Sequence, residues 1–482
     1  MGKLKDYAKK ILKDTKLTLT LIVLFGLILR LSFFSGMGAS DSLTYSELAN
    51  KIDKGIDLKN GVLTLATRLG IIYVTSLSYR LFGINDFSSV SFVLLASMAS
   101  IVLVFYFGKL LFNEKVGLMA AFLLSFFPLD VIYATKLLSD LPSAFFVSLA
   151  VYIFLYSEMK SRRSYFYFLS GVLIGVAYLI RESALLIALF FAAYVIYKRQ
   201  VKREYFLVVF GFAVVFLFEL FMLYKLTVDP FFRYTTVQSY LLEAFAKDDY
   251  YGRLKMPQGL FHYPYVILTD SIISYFYILI FIAMYYFIKN KDKNAYFLMF
   301  WFIPILLYFS FGSASFTNYL PFKAEPRYLA IITFPGILLL SYFLTNYKLV
   351  KKNMVPYVLV MLLLLSIMSV YMEDDRNILV YLRELHAHLE KSGFREVFID
   401  ERSMRALDYI SKFESKLNIK AYPEDLSKLR DVYVVVNKGM IRKLKALNYT
   451  FPKEIENPPK NWKMVKEIGE GDEKKIIVYY IQ

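Results

Sequence analysis

Charged side chains stand at the ends of long apolar stretches in this sequence, where they are costly to bury and so ask for a functional explanation. Asp41 begins the segment DSLTYSELANKIDKG, and Asp140 lies in Lys136-Leu-Leu-Ser-Asp140-Leu-Pro142. A carboxylate so placed can accept the proton of a reacting hydroxyl. Arg68, Arg181 and Arg327 occupy comparable junctions, with Lys136 and Lys323 in the same stretches. Arginine's planar fork suits an anionic ligand. Tyr45, Glu182 and Glu325 share these segments as candidate substrate contacts, and His262, just before the apolar run at 265–288, joins them. Each also has a structural reading. Asp41 can cap the helix it begins, and Ser139 or Asp140 can cap the helix opened by Pro142. Arg181-Glu182 can close a helical hairpin as a local ion pair. Capping leaves Lys136 unexplained. Glu219 falls inside an apolar run, with Arg30 as its expected partner unless Arg30 reaches outward to water.

These residues must be positioned by a membrane scaffold. The chain has 482 residues, 57% hydrophobic and 18% aromatic, where soluble domains hold about 45–50% apolar residues. Apolar runs near 20 residues recur to residue 372, at roughly 17–34, 88–111, 117–134, 141–157, 164–180, 183–197, 205–225, 265–288, 295–315, 328–345 and 353–372, which predicts about eleven spans. The stretch Val62–Phe82 is interrupted by Arg68 and Arg80 and reads as a surface helix. The basic amino terminus precedes an apolar run too long for a signal peptide and predicts an uncleaved first span. With eleven spans, Lys160/Arg162/Arg163, Lys198/Arg199/Lys202/Arg203, Lys289/Lys291/Lys293 and Lys348/Lys351/Lys352 all face the cytoplasm with that terminus, and Lys109 and Lys115 join them. Asp41, Asp140, Arg181, Glu182, Glu325 and Arg327 then share the outer face. The net charge of +17 is accounted for by this bias, so nucleic acid is not an expected partner. The absence of cysteine excludes disulfides and thiolate metal sites, and three histidines leave little for a histidine-rich one. The lysine-rich, cysteine-free usage fits a thermophile.

The expected division is a transmembrane domain over 1–372 and a small soluble extracytoplasmic α/β domain over 373–482. Tyr45, Leu48, Ala49, Ile52 and Ile56 form a helical stripe, predicting an amphipathic helix on the membrane surface. Thr227–Pro264, which contains Asp229, Arg233, Glu243, Asp248, Asp249, Arg253 and His262, predicts a second surface helix, with an apolar stripe at Tyr234, Val237, Tyr240, Leu241, Ala244 and Phe245, and a lid-like segment. In the last domain, 396–400, 431–436 and 475–481 read as strands, with helical patterns at 376–392 and 402–417. Asn448-Tyr-Thr450 matches a glycosylation acceptor.

In the order of these elements over roughly 17–372 the chain resembles the C-type membrane glycosyltransferases, in particular the protein O-mannosyltransferases and the lipid A aminoarabinose transferase. The resemblance is carried by Asp41 with Tyr45 and Ala49, by Arg68-Leu-Gly70-Ile-Ile-Tyr73 through Leu81-Phe82-Gly83, by Ser139-Asp140-Leu-Pro142, by Tyr178-Leu-Ile-Arg181, and by Arg327-Tyr328 through Pro335. It implies a sugar donor on polyprenyl (dolichyl) phosphate and inverting transfer to an acceptor hydroxyl of a protein, glycan or lipid at the outer face of the plasma membrane. On that reading Asp41 is the base, Asp140 orients the acceptor or sugar, Arg68, Arg181, Arg327, Lys136 and Lys323 hold the donor phosphate, and Tyr73 joins the substrate contacts. The oligosaccharyltransferase branch has paired DxD metal sites and a WWD motif. Here Asp41-Ser-Leu and Asp140-Leu-Pro stand instead, with no WWD. No cofactor is firmly implied: a divalent metal remains possible without a DxD motif to indicate it. The alternative functions are a transporter or flippase of a lipid-linked anion, which would favour internal repeats, and a non-catalytic scaffold.

Overall fold

The computed structural model describes residues 14–38, 40–55, 64–161, 163–246, 258–315, 319–346, 353–373, 378–392, 396–426, 428–446, 449–471 and 475–482. The basic amino terminus, residues 56–63 at the start of the expected Val62–Phe82 helix, and Arg162, Asp248, Asp249, Arg253, Lys348, Lys351, Lys352 and Asn448 lie outside them.

Among the described residues, seven helices are long and apolar enough to cross a membrane: Thr15–Ser32, Asp86–Leu111, Asp140–Ser161, Tyr205–Thr227, Lys293–Phe311, Pro326–Thr345 and Val355–Met372. The pair Gly259–Thr269 and Ser274–Lys289, bent by 100°, makes an eighth if it counts as one span. The remaining expected runs are shorter or broken. Residues 117–134 divide into Glu114–Ser125 and Pro128–Tyr133, because Pro128 cannot donate to the preceding turn. Residues 183–197 begin as the 3-10 turn Glu182–Leu186 before Ile187–Lys198. The helices Ser164–Ile180 and Tyr205–Thr227 touch backbone to backbone. A Cβ on Gly171 would fall 2.0 Å from the Val208 carbonyl oxygen, and one on Gly211 would fall 2.2 Å from that of Phe168. Small residues allow such an approach where lipid gives helices no hydrophobic drive to associate.

The Asp140–Ser161 helix runs about 27 Å between Asp140 and Glu158 at 1.5 Å per residue. At its Glu158 end, Lys202 donates to both carboxylate oxygens at 2.9 and 2.8 Å, and Tyr167 and Tyr194 donate as well. At its other end Asp140 meets Arg181. The Lys- and Arg-rich connection around residue 202 and the acid-base candidates thus occupy opposite ends of one helix. Arg30 departs from expectation. It is fully buried, donates to Ser97 Oγ and to the Gly26 and Ser125 carbonyls, and lies 3.9 Å from Asp130 rather than near Glu219 or water. The break after Ser125 frees that carbonyl to receive it.

Asp41–Asp53 is a helix, but its apolar side does not lie on lipid. Tyr45, Leu48 and Ala49 are buried against the Leu69–Phe82 and Glu401–Ile410 helices. Amphipathicity demands an apolar neighbour, and here the protein supplies it. Arg80 emerges from the Leu69–Phe82 helix to pair with Asp53. The carboxy-terminal residues form a five-stranded sheet in the order β2-β1-β3-β5-β4, with β1 Val397–Ile399, β2 Ile419–Ala421, β3 Val432–Asn437, β4 Lys463–Ile468 and β5 Ile476–Ile481. β1 is parallel to β2 and β3, while β5 is antiparallel to β3 and β4. The helices Ile378–Ser392 and Glu401–Ile410 accompany it. This layer docks on the helical part through Arg405 with Glu47 at 2.9 Å, Tyr409 Oη donating to Asp86 at 2.9 Å, and Arg383 with Asp86 at 2.7 Å.

Candidate active site

Five separate segments bring their charged residues together at one end of the bundle. Asp41 lies in the first turn of its helix, and Ser40 occupies the cap position without a side-chain capping bond. Asp41 therefore does not cap. Its Oδ2 instead receives Arg327 Nη2 at 3.0 Å. Arg327 comes from the 3-10 turn Pro326–Leu329, which feeds the Ala330–Thr345 helix. Arg68 is the residue just before the Leu69–Phe82 helix. Its Nε and Nη2 donate to Glu182 at 3.0 and 2.5 Å in a fork-to-fork pair, and its Nη1 donates to Tyr45 Oη at 2.5 Å. Arg181, extended at the end of the Ser164–Ile180 helix, places Nη1 2.8 Å from Asp140 Oδ1 and 3.2 Å from Ser139 Oγ. Ser139 also lies 3.3 Å from Tyr45 Oη and 3.4 Å from Arg68 Nη1, so one hydroxyl links three of the segments.

Three guanidinium groups thus face three carboxylates: Arg68 with Glu182, Arg181 with Asp140, and Arg327 with Asp41. The cluster is nearly neutral as it stands, yet it keeps donors in reserve. An arginine has five N–H groups, and Arg327 Nε is buried with no hydrogen-bond partner among the described residues. Asp140 is 4% exposed, and neither of its oxygens accepts a well-aligned hydrogen bond among the described residues; its link to Arg181 is a close charge pair only. Buried polar atoms without aligned partners are rare and call for an explanation. Around Asp41, burial pushes the carboxyl upward, but Arg327, Arg68 and Arg181 outweigh it and hold it below its ordinary value. Asp41 is therefore a carboxylate at neutral pH.

Lys323 pairs with Glu325 at 2.5 Å, and Glu325 lies 3.9 Å from Arg327 Nε, forming a short chain toward Asp41. His262 is half-buried and close enough to Lys323 to feel its charge. Lys136 is buried, 3.8 Å from Glu373 and over the Tyr133 ring. Tyr73 is half-buried on the Leu69–Phe82 helix and makes no hydrogen bond to these residues. Two contributors were not among the expected site residues, although both stand in the quoted motifs. Ser139 was read as a helix cap and as part of Ser139-Asp140-Leu-Pro142. The Tyr328 ring carries the Arg181 guanidinium at 4.6 Å and that of Arg327 at 5.5 Å, and its place beside Arg327 in the sequence was the signal for it. No three His, Asp or Glu side chains among the described residues converge as a metal cage would.

Gly70 sets the position of Arg68. A Cβ there would lie 2.7 Å from Ile180 Cγ1 and 3.0 Å from the Ile180 backbone nitrogen. Gly70→Ala is expected to push the Leu69–Phe82 helix off the end of Ser164–Ile180, costing about 1–3 kcal/mol by overpacking and loosening the Arg68–Glu182 pair. Thermal unfolding of the variant in detergent checks this, and a wild-type midpoint would refute it.

Residues 69–224 match the family of dolichyl-phosphate-mannose-protein mannosyltransferases. The fold matches ArnT from Cupriavidus metallidurans in the apo state (12% identity, TM-score 0.65, covering 95% of this chain and 97% of that one). It matches the same protein bound to undecaprenyl phosphate (12% identity, TM-score 0.63, 95% and 97% covered). It also matches the archaeal oligosaccharyltransferase AglB from Archaeoglobus fulgidus in complex with an inhibitory peptide and a dolichol-phosphate (12% identity, TM-score 0.56, 97% and 74% covered). No curated protein matches the chain significantly. The protein is a multi-pass membrane protein with the C-type glycosyltransferase fold. Within that class, residues 69–224 are similar to the protein mannosyltransferases and the fold is similar to that of ArnT.

Proposed function

We propose that the protein transfers a single sugar from a polyprenyl-phosphate donor to an acceptor hydroxyl at the outer membrane face, with inversion at the anomeric carbon. The observation that carries this reading is the Asp41–Arg327 pair at the centre of three convergent arginines. A base that holds its charge and an anion-binding cluster are the two things the reaction needs side by side. The acceptor oxygen attacks the anomeric carbon as its proton passes to Asp41, and the bond from that carbon to the phosphate oxygen breaks, leaving its electron pair on polyprenyl phosphate. The leaving group gains negative charge, so Arg68, Arg181 and Arg327 stabilise it more in the transition state than before it. Donor phosphate competes with Asp41 for Arg327. As that partner is drawn away, burial raises the basicity of Asp41 just when a proton must be accepted. Asp140 and Ser139 orient the sugar or acceptor. Tyr45, Tyr73, Glu182, Glu325 and His262 would form the substrate walls, and Lys136 and Lys323 the outer ring of charge. Undecaprenyl phosphate and dolichol-phosphate bound to proteins of this fold support a polyprenyl donor here. We place the amino terminus in the cytoplasm and residues 373–482 outside, as a domain apart from the spanning residues 1–372, from the loop-charge bias.

Purified protein in lipid nanodiscs, given a radiolabelled polyprenyl-phosphate sugar and a candidate acceptor, is expected to release free polyprenyl phosphate and a glycosylated product. Movement of intact donor across a sealed vesicle with no glycosylated product would favour the transporter instead.

A further inference from the structure

Glu219 and Arg233 form an ion pair that the proposed chemistry does not use. They are 1% and 2% exposed, and Arg233 Nη2 lies 2.9 Å from Glu219 Oε1. Burying two charges is costly even when they are paired. Arg233 stands in the first turn of the Phe232–Ala246 helix, outside the Tyr205–Thr227 span that carries Glu219. Its other contacts are specific. Nη1 donates to the Tyr178 carbonyl at 2.9 Å, Nη2 donates to the Thr67 carbonyl, and the guanidinium lies over the Tyr178 ring at 4.5 Å. Tyr234 adds a hydroxyl contact to Tyr178 at 3.1 Å. Thr67 immediately precedes Arg68, and Tyr178 lies in the last turn before Arg181. One buried guanidinium therefore ties together the two backbone stretches that present two of the three site arginines.

We infer that Arg233 is a positioning residue, held by Glu219, through which the Phe232–Ala246 helix sets the spacing of Arg68 and Arg181 and thereby the affinity for donor phosphate. This rests on the donor reading above. Lysine can satisfy Glu219, but its single ammonium cannot bridge two carbonyls and a carboxylate as the planar fork does. Arg233→Lys should keep the fold and weaken donor binding. Removing both charges with Glu219→Leu and Arg233→Met together should also keep the fold, since a buried pair replaced by apolar residues of similar volume is often neutral or stabilising, and it too should leave the carbonyls unbridged.

The test uses the full protein in nanodiscs. It measures undecaprenyl-phosphate affinity by scintillation proximity, donor and acceptor KM, kcat, and the midpoint of thermal unfolding. Both variants are expected to raise the donor Kd and KM at least tenfold, with the acceptor KM and unfolding midpoint near wild type. Wild-type donor affinity in either variant, with stability intact, would overturn the inference. A uniform loss of stability with donor and acceptor KM moving together would also overturn it, as the mark of a purely structural pair. If wild-type protein binds no polyprenyl phosphate, the donor reading fails and this inference with it, an outcome separable from the others because it appears before any substitution.

Discussion

Asp41→Asn is expected to lower kcat by about 10²- to 10⁴-fold, the usual worth of a positioned general base, while donor affinity is kept or improved. Asparagine has the same shape and can still accept a hydrogen bond from Arg327, so the fold of the site should persist. What is lost is the capacity to take a proton. The negative charge that now occupies Arg327 is lost as well, so the phosphate meets a more positive cluster. A variant that binds donor at least as well as wild type yet fails to turn it over separates a base from a binding residue. The pH profile gives a second check. The Asp41 carboxyl is held below its ordinary value of 3.8 by Arg327, Arg68 and Arg181 against the pull of burial. The active carboxylate is present above the folded pKa and lost as pH falls through it. The acid limb of kcat/KM, which reports the free enzyme, should therefore lie below pH 3.8 in wild type. In Arg327→Ala, where burial acts with less opposition, it should move up. Full activity in Asp41→Asn, or an acid limb that ignores Arg327, would remove the assignment.

The residues of this site were legible because of where they stand. A charged side chain beside a membrane-length apolar run is expensive, so Asp41, Asp140, Arg181 and Arg327 stood out before any contact was known. Their partners did not. Arg68 and Glu182 are separated by 114 positions, and nothing local couples them. Arg30 was read either as the partner of Glu219 or as reaching outward to water, since both residues are charges in apolar runs. Its carboxylate neighbour is Asp130, masked by the reading of 117–134 as one continuous helix when Pro128 divides it. Glu219 was singled out as an unusual group, but its partner came from the long Thr227–Pro264 connection, whose three-dimensional path the sequence does not encode locally. The helix from Asp41 was read correctly, and its apolar stripe was given to lipid because periodicity names a face without naming what covers it. Among the carboxy-terminal residues the three apolar strands were found. β2 has only three residues, and β4, reading Lys463-Met-Val-Lys-Glu-Ile468, has the mixed, exposed character of a sheet edge.

Arg181→Ala should remove donor binding, and the reason lies in how much one guanidinium does at that point. It sits 2.8 Å from Asp140, 3.2 Å from Ser139 and over the Tyr328 ring at 4.6 Å. Losing one preorganised donor to a developing anion costs about 10²- to 10³-fold in kcat, and loss of ground-state phosphate contacts adds to that in KM. Alanine also strands Asp140, and breaking a buried pair by removing one partner costs about 3–5 kcal/mol. A poorly folded variant could mimic a loss of binding, so Arg181→Ala combined with Asp140→Asn is the decisive comparison. Neutralising Asp140 removes the stranded charge, so stability should return toward wild type. Donor binding should not return, since the guanidinium that meets the phosphate is still missing. Arg181→Lys should fall between, keeping the charge but not the fork or the stacking on Tyr328. Undecaprenyl-phosphate affinity across these three proteins, read beside their unfolding midpoints, distinguishes a phosphate ligand from a structural counter-ion: if affinity follows stability in all three, Arg181 serves only to neutralise Asp140.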